Sequence, residues 1–207
     1  MKNVPRILRL LAAAAIVAPA LALGQATPWN IDPAHTHASF TVRHLMISNV
    51  RGEFQKTSGT VKIDEKDVTK STVEAAIEAG SVDTRVEQRD QHLKSPDFFD
   101  AAKFPTLTFR STKVEKAGEG KLKVTGDLTL HGVTKPVVLD VTGPTGEIKD
   151  PWGNARRGVS ATATINRKDF GLTWNKMLEA GPVVGDEVKI EIEAELIKQA
   201  ADKTAQK

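Results

Sequence analysis

The sequence contains no cysteine and no tyrosine, and aromatic residues make up only 5% of it. Without cysteine the chain forms no disulfide, offers no thiolate nucleophile and has no thiolate ligand for a metal. The scarcity of large rings also limits how fully the interior of a folded domain can be filled. The composition therefore predicts a domain that folds without disulfides around small and aliphatic side chains.

Long apolar runs are also absent after residue 23. The single run, Leu10–Leu23, follows three basic residues and ends in the small-residue pattern Ala20-Leu21-Ala22. It is short for a membrane-spanning helix, and a basic start before such a run is typical of a secretory signal peptide. We therefore expect a signal peptide over residues 1–22 and a mature protein in the periplasm. Cleavage after Ala26 and an uncleaved anchor are the alternatives.

An excess of one charge is lacking in the mature chain. Three of the 29 basic residues precede Leu10, which leaves 26 basic and 26 acidic residues in the rest of the sequence. No basic segment interleaved with aromatic residues is present. A neutral chain of this kind does not match nucleic-acid binding, so we expect no nucleic-acid partner.

Alternation of apolar and polar residues is the strongest positive signal. In Val188–Leu196, every second residue is apolar and the others are charged, which is the pattern of a half-buried β-strand. Comparable segments lie near 36–47, 53–63, 71–80, 105–115, 121–131, 136–142, 157–166 and 186–197. Eight such strands can bury their apolar faces by closing into one antiparallel barrel. We predict an all-β domain over residues 23–198 and a flexible tail over 199–207.

Helix signals interrupt this pattern between the third and fourth strands. Thr84-x-x-Glu87 matches a capping box, and good helix formers follow as far as Lys94. Ser95-Pro96 then predicts a second short helix that ends at Ala102. A second long connection, Lys168 to Gly185, is rich in apolar residues, and loops at a barrel mouth often bind ligands.

The inward faces of the predicted strands carry many small residues. Ala38, Ala75, Ala79, Gly126, Ala161, Ala163 and Ala194 all have inward parity. A packed interior tolerates few voids, so either loop residues or a ligand must fill the barrel. A ligand held by such walls would be long and apolar, and charged at most at one end.

Several specific motifs point to a known family. They are Trp29-Asn30-Ile31-Asp32 with His35, Phe40-Thr41-Val42-Arg43-His44, Gly52-Glu53-Phe54, Ser81-Val82-Asp83-Thr84, Arg89-Asp90-Gln91-His92-Leu93, Phe98-Phe99-Asp100 with Lys103-Phe104-Pro105, Gly126–Pro136, Asp169-Phe170-Gly171-Leu172, Trp174-Asn175 and Gly185-Asp186-Glu187-Val188. In their order and spacing the chain resembles the YceI-like family of secreted bacterial polyisoprenoid-binding proteins, over about residues 28 to 197.

The resemblance implies an eight-stranded antiparallel, lipocalin-like barrel that binds an isoprenoid lipid of the quinone or polyprenyl type. It also implies transport or storage of that lipid, an association with stress responses, and contacts with the membrane or a membrane cytochrome. A homodimer is a further candidate assembly. No cofactor is expected beyond the bound lipid. The alternatives are a ligand-free structural or partner-binding stress protein and, less favoured, a lipid-modifying enzyme.

The candidate lipid-binding residues lie on inward faces and in the two long connections. They are Phe40, Val42, His44, Phe98, Phe99, Leu107, Phe109, Leu128, Leu130, Ala163, Phe170, Trp174, Ile192 and Ala194. Head-group candidates are Arg85, Arg89, Asp90 and His92, of which Arg85, Arg89 and His92 would share one helix face. Two guanidinium groups can bind a phosphate, but salt bridges that close the fold would explain the same residues.

Catalysis and metal binding have weaker support. His35 and His37 are spaced for a metal on one strand face, but the sequence places no third ligand near them, so we expect no metal. Asp83, Asp90 and His92 could act as acids and bases, yet no nucleophile motif or phosphate loop accompanies them. We therefore predict that the protein is not an enzyme.

Overall fold

The computed structural model describes residues 26–179 and 181–200, and these contain fourteen β-strands and one α-helix. The strands are β1 (Thr27–Ile31), β2 (His37–His44), β3 (Ser48–Phe54), β4 (Thr57–Ile63), β5 (Thr72–Glu78), β6 (Val82–Asp83), β7 (Thr106–Lys116), β8 (Lys121–Leu130), β9 (Val133–Thr142), β10 (Ile148–Lys149), β11 (Ala155–Asn166), β12 (Met177–Leu178), β13 (Gly181–Pro182) and β14 (Val184–Lys198). The helix is α1 (Glu87–Lys94), and short 3-10 helices cover Pro33–His35, Val68–Lys70, Ala79–Ser81 and Arg167–Phe170.

The strands close into an antiparallel barrel with eight positions around its wall, which follow one another in chain order. We call each position a stave, whether one strand or two successive strands occupy it. The first three staves each consist of two strands, β1 with β2, β3 with β4, and β5 with β6, and the others are β7, β8, β9, β11 and β14. Each stave pairs with the next, and β14 pairs both with β11 and with the first stave, which closes the ring. The predicted fold class, including a helix between the third and fourth staves, is confirmed.

The two ends of the barrel differ in what covers them. At the helix end lie the β2–β3 turn, residues 84–105 with α1, and the loop of residues 167–183. At the far end lie the first described residues and the loops of residues 64–71, 117–120 and 143–154. Antiparallel connection of neighbouring staves places every second loop at the same end.

Some local predictions are wrong. The predicted strands near 36–47 and 53–63 leave a gap at Asn49–Gly52, but these residues lie within β3, and the chain reverses at Leu45–Ile47 instead. The predicted helix of Ser95–Ala102 is a series of turns, in which the Phe99 amide donates to the Leu93 carbonyl. The capping box does not form, because the helix begins after Val86 and Thr84 is bonded to other partners.

The predicted signal peptide of residues 1–22 lies outside the described residues, as does most of the predicted tail, residues 201–207. The domain boundaries at these two ends therefore stay predictions. Among the described residues, no helix is both long enough and apolar enough to cross a membrane.

An ionic cluster connects the first stave of the barrel to β14, the last one. Arg156 Nη1 lies 2.6 Å from Asp32 Oδ2 and 2.8 Å from Glu195 Oε2, and Arg156 Nε lies 2.8 Å from Asp150 Oδ2. His35 Nδ1 is 2.8 Å from the same oxygen of Asp32. One guanidinium thus joins the break between β1 and β2, strand β14 and the loop before β11. Such charge-assisted bonds are among the stronger hydrogen bonds in proteins.

The cluster makes stability depend on pH. Burial raises the pKa of Asp32, but hydrogen bonds from Arg156, His35 and the Ala34 amide outweigh it and lower the pKa from 3.8 to about 2. A hydrogen bond from Arg156 likewise lowers the pKa of Asp150. A carboxylate with a depressed pKa in the folded state stabilises the fold above about pH 4 and loses that contribution as the pH falls through the folded pKa.

We expect Arg156→Met to lower the melting temperature at neutral pH by several degrees, because it leaves Asp32 and Asp150 close together without their shared cation. As the pH falls from neutral, the gap in melting temperature from the wild type should narrow mainly between about pH 4 and about pH 2, because Asp32 loses its contribution to stability between its ordinary pKa and its folded pKa. Thermal unfolding across this range measures both effects. Lys123→Met is the control, because its exposed pair with Asp140 should contribute little. A gap that is independent of pH would contradict this account.

Candidate functional site

A cavity of about 440 Å³ runs along the inside of the barrel. Its lining reaches Val68 and Pro144 at the far end and His92 and Trp174 at the helix end. Ligand pockets commonly measure about 300–1,000 Å³, so the space suits a small molecule or part of a long one. Most lining side chains are aliphatic or aromatic, which favours an apolar ligand.

Twelve of the fourteen candidate lipid-binding residues line this cavity. They are Phe40, Val42, His44, Phe98, Phe99, Leu107, Phe109, Leu128, Leu130, Trp174, Ile192 and Ala194. The other two, Ala163 and Phe170, do not line it. Phe170 lies on a 3-10 helix and is buried in a cluster with Phe54 and Phe99, and Ala163 packs against that same cluster. Their contact with a ligand stays a prediction.

Glycines in the wall let two phenyl rings pack closely against it. A Cβ on Gly52 would come within 2.5 Å of the Phe40 ring, its cross-strand partner, and a Cβ on Gly126 within 2.4 Å of the Phe109 ring. The rings therefore cover the backbone of the neighbouring strand. This arrangement uses aromatic residues as lining and keeps them from filling the centre of the barrel.

The ionisable groups in the lining belong to the helix end. They are Arg43, His44, Arg89, His92 and Arg167. Over residues 26–179 and 181–200, no aspartate or glutamate is part of the lining. The cavity therefore combines an apolar length with one end that suits an uncharged oxygen or an anion.

Two of the predicted head-group residues, Arg89 and Asp90, form hydrogen bonds to Thr84 in their own segment. Asp90 Oδ1 accepts from the Thr84 amide at 2.8 Å and from the Thr84 hydroxyl at 2.5 Å. Arg89 Nε donates to the Thr84 hydroxyl at 2.7 Å, and Arg89 Nη2 donates to its carbonyl at 2.7 Å. The prediction that Arg85, Arg89 and His92 share one helix face is wrong, because Arg85 precedes α1 in a left-handed conformation. Arg89 and His92 line the cavity, whereas Arg85 and Asp90 do not.

Three rings from different segments close over the cavity at the helix end. The ring centres of His92, Phe98 and Trp174 lie 4.9 to 5.2 Å apart in each pair. His92 Nε2 is also 2.9 Å from Asp97 Oδ2. Edge-to-face and tilted contacts of this kind add to the stability gained by burial. His92 is thus part of a packed aromatic group that borders the cavity.

Buried Arg167 organises the long loop beside this aromatic group. Its Nε donates to the Gly185 carbonyl at 2.9 Å, and its Nη1 donates to the carbonyls of Leu172 and Trp174 at 2.5 and 2.8 Å. Its Nη2 lies 3.3 Å from Asp186 Oδ1. Burial lowers the pKa of Arg167, and the Asp186 carboxylate opposes that shift. One cation therefore fixes the backbone on which Trp174 faces the cavity.

At the far end the barrel is closed by a stacked pair. Trp29 is fully buried, packs with Ile63 and Leu196, and lies under the Arg157 guanidinium at 5.1 Å from its ring centre. Arg157 Nη2 is also 2.9 Å from Glu65 Oε1. A cation over an indole ring is a favourable contact that also excludes water.

Some residues that line the cavity are not among the candidates predicted from the sequence. Val137, Leu139 and Val141 alternate along β9 and line the cavity, so the parity rule applied to that strand would have found them. Arg43 and Arg167 also line it, and no pattern in the sequence marks a charged residue for the lining.

His35 and His37, the pair considered as metal ligands, contact different carboxylates and do not face a common site. His35 contacts Asp32, whereas His37 Nδ1 lies 3.7 Å from Glu53 Oε2. Donor atoms of Asp32, His35 and Glu195 do lie within 4.8 Å of one another. The Arg156 guanidinium bridges the two carboxylates of that group, so a cation is already supplied by the chain.

Comparison with known proteins agrees with the fold and extends the match along the chain. A model of the YceI-like domain matches residues 29–196. A UPF0312 protein of Vibrio parahaemolyticus is 41% identical over 187 residues, which cover 89% of this chain and 94% of that protein. A UPF0312 protein of Pseudomonas savastanoi is 42% identical over 166 residues, which cover 78% and 86% of the two chains.

Solved structures show the same architecture. The YCEI protein of Campylobacter jejuni is 35% identical with a TM-score of 0.65, and the match covers 76% of this chain and 90% of that one. For BcnA of Burkholderia cenocepacia, the identity is 26%, the TM-score 0.69 and the coverage 80% and 98%. A polyisoprenoid binding domain from Saccharophagus degradans shares the fold at 17% identity, with a TM-score of 0.61 and coverage of 84% and 99%.

We expect Gly52→Ala to destabilise the fold by about 1–3 kcal/mol, because its Cβ would push the Phe40 ring off the wall. Truncating the ring in Gly52→Ala/Phe40→Leu should recover part of that loss, and a double-mutant cycle measures the coupling. Gly146→Ala is the control, since a Cβ there would meet no atom within 4 Å. Additive effects at residues 52 and 40 would show that the ring does not rest on the glycine.

Proposed function

The chain belongs to the YceI-like domain family, and we propose that it binds a long isoprenoid lipid, of the quinone or polyprenyl type, in the barrel cavity. One observation carries the proposal. The lining is apolar from Ile63 and Leu196 at the far end to Phe98 and Trp174 at the helix end, and its ionisable groups gather at the helix end. A ligand that matches this distribution has a long apolar chain and a single polar head.

The related structures support the same chemistry. The Saccharophagus degradans domain, which shares this fold, is described as polyisoprenoid binding. The rings of Phe40 and Phe109 pack closely against glycines of the wall and add apolar surface to the lining. Burial of each methylene group of a ligand contributes about 0.8 kcal/mol, so a chain of several isoprene units gains affinity from length alone.

We infer that the ligand's head lies at the helix end. His44 and His92 can donate a hydrogen bond to a quinone or hydroxyl oxygen, and the guanidinium groups of Arg43 and Arg89 favour a phosphate. Asp90 does not line the cavity, and its Oδ1 accepts two hydrogen bonds from Thr84, so we assign it to holding this segment and not to the head group. The tail then extends toward the Trp29 end, where the lining carries no ionisable group.

The role we propose is binding, for transport or storage, and not catalysis. The cavity lacks a lining carboxylate within the described residues, and His92 packs against the rings of Phe98 and Trp174. The basic leader and the Ala20-Leu21-Ala22 pattern support a periplasmic location. Transient contact with the membrane or a membrane cytochrome, a role under stress and a homodimer belong to the same proposal.

Organic extraction and mass spectrometry of protein purified from its native host test the proposal directly. A stoichiometric isoprenoid is the expected result, and its mass would also give the chain length and head group. Empty protein that also takes up no polyprenol after delipidation would contradict the proposed function. Turnover of an added lipid would contradict the choice of binding over catalysis.

We expect Ala194→Phe to abolish uptake of polyprenol, because the new ring would occupy space beside Ile192 in the cavity. After delipidation the variant should melt close to the wild type, since an open cavity accepts the ring without the overpacking cost of about 1–3 kcal/mol. Glu191→Phe, which adds the same ring on the exposed face of β14, is the matched control and should retain uptake. Equal uptake by both variants would place the lipid elsewhere.

We expect Arg89→Lys to reduce retention of a phosphorylated polyprenol more than Thr84→Val does. Both changes remove the bond between Arg89 Nε and the Thr84 hydroxyl, but only the first removes the planar guanidinium that suits phosphate. Melting temperature and lipid retention are measured on the same samples. If retention follows melting temperature equally in the two variants, Arg89 only closes the fold.

A further inference from the structure

Of the large apolar side chains exposed at the helix end of the barrel, four lie on two neighbouring hairpins. Ile47 is 77% exposed and Met177 70%, and Met46 and Leu178 follow at 46% and 44%. Single exposed apolar residues are ordinary on a protein surface. These four, however, occupy two hairpins, β2–β3 and β12–β13, and we name them the mouth patch.

The two hairpins are fixed side by side. The Leu45 amide donates to the Val183 carbonyl at 2.7 Å, and His44 pairs with Val184 where β2 meets β14. The Val183 amide in turn donates to the Lys176 carbonyl at 3.0 Å, which holds the second hairpin against the first. The mouth patch is therefore one surface carried by a connected backbone.

The first hairpin has an unfavourable backbone for the residues it carries. Leu45 and Met46 have φ values of 51° and 60°, the left-handed region in which Asn and Gly are favoured at hairpin turns. A turn selected for folding alone would carry those residues. Met46 is an exposed apolar side chain on a backbone that disfavours it, which indicates a role outside the fold.

The mouth patch borders the cavity. Arg43 is exposed and also part of the cavity lining, so the cavity reaches the surface beside the β2–β3 turn. Arg43 Nη2 donates to the Met46 carbonyl at 2.6 Å, which ties this cation to the turn. Arg51 and Lys176 are further exposed cations on the two hairpins, and Glu179 is the exposed carboxylate beside them.

We propose that the mouth patch inserts into the head-group region of an anionic lipid bilayer, so that an apolar ligand passes between membrane and cavity without crossing water. The inference rests on the proposed function for its purpose, but the membrane contact can be tested without it. Apolar side chains beside cations are the combination by which proteins bind such surfaces.

A membrane fits this patch better than a protein partner does. Stable protein interfaces bury about 800 Å² on each side, whereas the mouth patch offers four side chains on two convex hairpins. Insertion into lipid needs only a few apolar side chains, because the bilayer adapts its shape to them. Two of the four side chains in the mouth patch are methionines, whose flexibility suits an irregular environment of this kind.

The test replaces the turn with the residues that its backbone favours. We expect Leu45→Asn/Met46→Gly to raise the unfolding midpoint, because it relieves the left-handed strain. The same variant should bind vesicles of phosphatidylglycerol and phosphatidylcholine about tenfold more weakly than the wild type in sedimentation, because it removes Met46 from the mouth patch and the half-buried Leu45 beside it. A gain in stability together with a loss of membrane binding cannot result from unfolding.

The matched control removes exposed apolar side chains at the far end. Ile148→Ser/Trp152→Ser takes away side chains that are 64% and 81% exposed, and its vesicle binding should equal that of the wild type. Equal loss in both double variants would overturn the inference. A concentration-dependent dimer that only Leu45→Asn/Met46→Gly abolishes would overturn it as well, because the patch would then bind a second copy of the chain.

Loading and vesicle binding are measured separately so that the two proposals can fail independently. Leu45→Asn/Met46→Gly should take up polyprenol supplied in detergent as fully as the wild type, and acquire it from vesicles more slowly. Wild-type protein that takes up polyprenol but does not bind vesicles would overturn the membrane contact and leave the proposed function standing. Vesicle binding that Ala194→Phe retains without uptake would support the contact on its own.

Discussion

A barrel whose interior is not filled by side chains must be held together by its wall and its ends. The wall is a closed ring of backbone hydrogen bonds from the first stave to β14. The ends carry most of the buried rings, with Trp29 at the far end and Phe98, Phe99 and Phe170 at the helix end. Burying one large apolar side chain contributes about 1.5–3 kcal/mol, so packing at the two ends stabilises a domain with an open centre.

Much of the wall could be predicted because strand side chains follow a strict rule. A period of two decides which side chains face inward, and closure of the ring then brings them to one cavity. Phe40, Leu128 and Ile192 come from staves far apart in the sequence, yet parity alone assigns all three to the lining. Parity is not sufficient for Ala163, which packs against a core cluster and does not line the cavity, and it does not apply to Phe170, which lies on a 3-10 helix.

Charged residues that organise the loops could not be predicted, because their partners are distant in sequence or are backbone atoms. Arg156 bonds Asp32 across 124 positions, and Arg167 bonds the carbonyls of Leu172 and Trp174, which no side-chain pattern reveals. The β2–β3 turn was missed for a related reason. Leu45 and Met46 adopt a conformation that their side chains disfavour, so propensity pointed to Asn49–Gly52 instead.

The helix end combines two demands that the far end does not meet. It must close the barrel, which requires packing among His92, Phe98 and Trp174, and it must let a ligand enter. Because these rings border the cavity, a bound ligand would pack against the groups that close it. A ligand that binds only the folded state stabilises it by mass action. Occupancy should therefore tighten the helix end more than the Trp29 end, and release should begin where His92 and Phe98 separate from Trp174 on the loop that Arg167 holds.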